Sequence, residues 1–113
     1  MYDIRWDQAA KQDMKRMKLR AYEVGQIVDA VDEQLSHQAE RESKCKKLIR
    51  PEEELPFEHM EPVWQLRVGE FRIFYDVSRT EEQEADAAEA YEGVVRIRAI
   101  RRKREHGTTR EIL

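Results

Sequence analysis

The chain has 113 residues and a mass of 13.6 kDa, which leaves room for one modest core in a single domain over residues 1–113. Charged residues make up 40% of it, with only four Gly and three Pro, so collagen-like and Pro/Gly-rich low-complexity classes are excluded. No uncharged stretch is long enough for a transmembrane helix, the N-terminal segment lacks the apolar core of a secretory signal, and the single Cys45 allows no internal disulfide, so a reducing, cytoplasmic setting is expected.

Residues 2–6 alternate apolar and polar and predict a short strand with Tyr2, Ile4 and Trp6 on one face. Asp7 is placed to cap a following helix. Ala10, Met14 and Met17 recur at helical spacing over residues 8–17. A longer helix is predicted from Leu19 to about Glu40, with Val24, Ile27, Val28, Val31 and Leu35 as its apolar stripe. Residues 46–50 fit a short strand or extended link. Residues 51–62 are acidic and interrupted by prolines, and predict a loop. Residues 63–77, VWQLRVGEFRIFYDV, form two alternating runs about Gly69-Glu70, with Gly suited to the first central position of a type II′ turn. Residues 78–92 predict a long mobile loop or an acidic excursion with an Ala-rich helical turn. Residues 93–100 predict a last strand, with Val95, Ile97 and Ala99 on one face and Arg96 and Arg98 on the other. A basic tail follows: residues 94–113 hold seven Lys/Arg against two acids, although the whole chain carries a net charge of −3.

A two-residue turn fixes the hairpin register, with Arg67 opposite Arg72 and Gln65 opposite Phe74. Trp64, Leu66, Val68, Phe71, Ile73 and Tyr75 then share the face that packs on the helices. Gln65, Arg67, Arg72 and Phe74 share the other. Like charges directly opposed across two strands destabilise the pair by up to about 1 kcal/mol. A conflict of this kind points to a ligand that resolves it, and an anion between two guanidinium groups would do so. Arg96 and Arg98 would join this face, with Arg101 and Arg102 at its rim. Phe74 could offer a base-stacking platform there, or be a lone exposed apolar residue. The same arginines could instead lie along the sheet and pair with the acidic loops.

The hairpin residues Trp64–Val77, together with Val95–Arg104 and the order strand, two helices, sheet, basic tail, resemble the RelE/ParE superfamily of small bacterial toxins. The resemblance implies an α+β fold: an N-terminal strand and helical hairpin packed on a small, mainly antiparallel four-stranded sheet. It implies the toxin half of a type II toxin–antitoxin pair, with a cognate antitoxin and a possible toxin–antitoxin heterotetramer. In the RNA-cutting branch it implies a ribosome-dependent mRNA endoribonuclease, in which the 2′-hydroxyl attacks a phosphate held by a basic sheet face. Carried over, Arg67 stands where the family often has a catalytic Lys, Arg72 matches the hairpin Arg, and Lys103 or Arg104 matches the basic residue after the last strand. Gln65 stands where some members have a second Lys, and no Tyr follows the last strand. His106 is the nearby group with a pKa near neutrality, fit for a general base. Gln65, Phe74, Arg96, Arg98, Arg101 and Arg102 are the expected RNA contacts. The ParE branch instead implies a protein-binding inhibitor of DNA gyrase, and a toxin-like domain without activity is a third reading. His37, His59 and His106 are too scattered for a metal site, no nucleotide-binding loop is present, and no cofactor or membrane partner is expected.

Overall fold

The computed structural model describes residues 2–49, 55–79 and 93–103. Strand β1 (Tyr2–Trp6) leads into helix α1 (Gln8–Arg16) and then helix α2 (Ala21–Gln38). Strands β2 (Lys46–Leu48), β3 (Val63–Val68), β4 (Phe71–Arg79) and β5 (Gly93–Arg102) complete the chain order. The fold is α+β, as expected, but the sheet has five strands rather than four. Their spatial order is β1-β5-β4-β3-β2. It is mixed: β1 runs parallel to β5, and every other pairing is antiparallel. The extra strand is β2, whose three residues pair with Trp64–Leu66 at the sheet edge.

The apolar patterns explain the layers. Ile27, Val31 and Leu35 of α2 are buried against Leu66, Ile73, Tyr75, Val95 and Ile97 of the sheet, with Ala10, Met14 and Met17 alongside. Tyr75 donates its hydroxyl to the Ala39 carbonyl at 2.6 Å, tying β4 to the end of α2. Between the helices, Lys18 takes a φ of +53°. Lys18 and Leu19 donate to the carbonyls of Lys15 and Met14, and this closes α1.

A second, smaller cluster lies on the opposite sheet face. Ile49, Val63, Phe74 and Ala99 are buried there beneath Leu55 and Phe57 of the loop that precedes β3. The Phe57 and Phe74 ring centroids are 5.5 Å apart. Leu55 and Phe57 therefore cover this part of the outer face, which the acidic composition of the loop gave no reason to expect.

The hairpin register is the expected one, with Arg67 opposite Arg72 and Gln65 opposite Phe74. Gly69 has a φ of +57° and Glu70 does not enter the positive region, as a type II′ turn requires. The expected facing of β5 fails in its second half. Tyr75 pairs with Ile97 and Phe74 with Ala99, so Arg98 is an extra residue in the ladder. One inserted residue shifts the alternation. Val95 and Ile97 pack on the helical side, whereas Ala99 turns to the outer cluster and Ile100 takes its place in the main core.

Candidate functional site

An open cleft lies on the outer face, beside the patch covered by Phe57. It is lined by Lys44, Cys45, Lys47, Gln65, Arg67, Arg72 and Lys103. Among the described residues that line it, five side chains are cations and none is a carboxylate. Strand periodicity places them. Arg67 and Arg72 face each other across the hairpin, and Gln65 follows two residues along the same face. Lys47 is the register partner of Gln65 on β2. The Arg67 amide donates to the Cys45 carbonyl at 2.6 Å, which sets the Lys44-Cys45 segment beside Arg67. The Lys103 amide donates to the Glu70 carbonyl at 2.7 Å, so the residue after β5 is drawn back to the hairpin turn.

The two arginines differ in environment. Arg67 is exposed. Arg72 is buried, and its Nη1 donates to the carbonyls of Gly69 and Phe71, each at 2.9 Å. Burial, and then the neighbouring Arg67 charge, pull the Arg72 guanidinium below its ordinary pKa, though an arginine remains cationic. Among the described residues no ion pair joins either arginine to a carboxylate. The cleft thus concentrates positive charge that an anion would relieve.

The structure brings Gln65, Arg67, Arg72 and Lys103 together as expected. It disperses most of the other expected contacts. Phe74 has no exposed surface, because Phe57 lies over it, so it cannot stack on a base. Arg98 is buried and tied to carboxylates: its Nε donates to Asp76 at 2.6 Å and its Nη1 to Asp7 at 2.8 Å. These partners raise its pKa against the opposing effect of burial. Asp7 stands at the N-cap position of α1, but it makes no side-chain cap; its carboxylate goes to Arg98 instead.

Arg101 donates to Asp13 at 2.6 Å. Arg102 turns to the helical side, where it pairs with Glu23 at 3.2 Å and lies over the Phe71 ring. Arg96 is half-exposed, opposite Asp76 in the β4–β5 register. It sits away from the cleft, towards β1, where it pairs with Arg5. Arg104 and His106 lie outside the described residues.

Lys44 and Lys47 are the site residues the sequence reading left out. Alternation within Lys46-Lys47-Leu48 would have found Lys47 had the pairing of β2 been known. Lys46 points the other way, and its Nζ donates to the carbonyls of Gln34 and Gln38 at the end of α2. Burial lowers its pKa, with Arg41 adding to the effect. No group of three or more His, Cys, Asp or Glu among the described residues is arranged to hold a metal ion. No described helix is long and apolar enough to cross a membrane.

Two helices on one face of a small sheet, with a cleft on the other that five cations and no carboxylate line among the described residues, define a small α+β protein. A family model described as the ParE toxin of type II toxin-antitoxin system, parDE, matches residues 4–106. The chain belongs to this family of toxins, within the RelE/ParE superfamily, and its class implies a cognate antitoxin. No curated protein and no solved structure matches it.

Proposed function

We propose that this toxin is a ribosome-dependent endoribonuclease that holds the scissile phosphate of mRNA between Arg67 and Arg72. The supporting observation is the cleft itself, lined by five cations and no carboxylate among the described residues. The RNA 2′-oxygen attacks phosphorus and gives its proton to His106, three positions after Lys103 in the sequence. Arg67 and Arg72 neutralise the charge that builds on the pentavalent phosphate. The bond to the 5′-oxygen breaks, and Lys103 supplies the proton that this oxygen takes up. The products are a 2′,3′-cyclic phosphate and a free 5′-hydroxyl.

A second reading, a ParE-like inhibitor of DNA gyrase, is favoured by one observation: the family model that matches residues 4–106 is described as the ParE toxin. The test uses purified toxin, ribosomes and a defined mRNA, with primer extension to read new 5′ ends. Cleavage is expected with the unaltered chain, and Arg67→Ala slows it by about 100- to 1000-fold. Arg67 is the better probe, because Arg72 also braces the turn carbonyls. Folded protein that yields no cut product, yet inhibits gyrase supercoiling, overturns the ribonuclease reading in favour of the second.

A further inference from the structure

Strand β1 lies at the end of the sheet, and among the described residues no strand pairs with its outer edge. Neither a proline nor a bulge interrupts it, and these are two of the devices that stop an edge from pairing with another chain. The parallel ladder with β5 decides which backbone groups turn outward. Alternate residues of a parallel strand direct both N–H and C=O to the same neighbour. The Asp7 amide donates to the Ile97 carbonyl at 3.0 Å, so Asp3 and Arg5, in phase with Asp7, turn their backbone groups towards β5. Ile4, between them, turns its own away from the sheet. Its side chain packs on the core side, whereas those of Asp3 and Arg5 share the opposite face. There Arg5 Nε donates to Asp3 Oδ2 at 2.9 Å, with the two side chains 58% and 30% exposed.

This edge is complementary to itself. Two copies paired antiparallel with Ile4 opposite Ile4 exchange hydrogen bonds between the Ile4 backbone groups. Asp3 of each copy then stands opposite Arg5 of the other. Those flanking positions are the non-hydrogen-bonded pairs, where Cα atoms approach to about 4.5 Å and side chains come closest. Opposite charges there stabilise the pairing and like charges oppose it. Sliding one copy by two residues, the smallest shift that keeps outward groups matched, would face Asp3 with Asp3 or Arg5 with Arg5. Charge therefore selects one register.

We propose that β1 is a self-association edge whose occupant is a second copy of this chain, paired antiparallel about a two-fold axis at Ile4. The two five-stranded sheets become one continuous sheet, with the helices of both copies on the same side. The inference is independent of the cleft, whose Lys47, Arg67 and Arg72 lie on β2, β3 and β4.

Sedimentation equilibrium of the purified toxin over a series of concentrations tests this pairing. The mass of the unaltered chain is expected to rise from 13.6 kDa towards twice that value. Arg5→Asp makes every facing charge acidic and Asp3→Arg makes every one basic. Each is expected to weaken association about 10-fold or more, with circular dichroism unchanged. Mixing the two variants in equal amounts restores opposite charges at every facing position, and the doubled mass is expected to return. A monomer at every concentration overturns the proposal; slowed amide exchange at Ile4 on adding the cognate antitoxin would then give the edge to that partner. A dimer that survives both substitutions, or one that mixing fails to rescue, also overturns it, because the contact then lies elsewhere.

Discussion

Tyr75 shows how one side chain joins two layers. Its ring is fully buried, 6.4 Å from the Trp64 ring centroid, and its hydroxyl donates to the Ala39 carbonyl. Burial first, then the nearby Glu40 carboxylate and Tyr2, push its pKa well above the ordinary tyrosine value of 10. The consequence for stability has a definite sign. Below about pH 10 the phenol is protonated in both folded and unfolded chains and adds no pH dependence. Above that value the unfolded chain releases the proton while the folded chain keeps it, so stability falls as pH rises. Urea denaturation at pH 8 and pH 10.5 is expected to show this loss, and Tyr75→Phe to reduce it. The substitution should cost about 1 kcal/mol at pH 8, since the Ala39 carbonyl loses its donor. An equal loss at high pH in both proteins would assign the effect to other groups.

Arg98 belongs to the scale of elements, because it links three of them. Its guanidinium joins β5 to Asp76 of β4 and to Asp7 at the β1–α1 junction, and Asp76 in turn accepts the Met60 amide of the covering loop at 2.8 Å. Arg98→Met leaves the Asp76 carboxylate, only 1% exposed, without its counter-ion. Breaking a buried pair on one side costs about 3–5 kcal/mol. Replacing both members, Arg98→Met with Asp76→Leu, is expected to cost less than Arg98→Met alone, as read by chemical denaturation. A double variant less stable than the single one would show that the pair contributes more than its desolvation costs.

The same residue marks where the sequence stopped being legible. Period-two alternation gave β1, the hairpin and its register, and period 3.6 gave both helices, because each depends on neighbours along the chain. A one-residue bulge at Arg98 leaves no trace in alternation, so Ala99 and Ile100 exchanged faces unseen. Phe74 was placed on the correct face, but its cover came from a loop whose acidic composition suggested only solvent. Asp7 looked like a helix cap, and nothing local reveals a partner 91 positions away. Half of the site was legible because a tight turn fixes which residues oppose. The other half, Lys44 and Lys47, depends on a pairing between segments too short to announce it.

At the scale of the whole molecule, a chain of net charge −3 carries its basic cleft on one sheet face, with the helices on the other. If function follows the local field, the position of a charge matters more than the total. Two variants separate these contributions. Arg67→Glu and Lys11→Glu each change the net charge by the same amount, from −3 to −5. Both original side chains are exposed, one on the cleft face and one on α1. Exposed substitutions of this kind alter stability by about 0.5 kcal/mol or less, so folding should be preserved in both. Growth inhibition on induced expression is expected to disappear with Arg67→Glu and to stay within a few-fold of the unaltered toxin with Lys11→Glu. Equal losses would mean that overall charge, through solubility or encounter rate, governs toxicity. Full toxicity in both would remove the cleft from the mechanism, because a carboxylate opposite Arg72 would close the arginine pair on itself and exclude the phosphate.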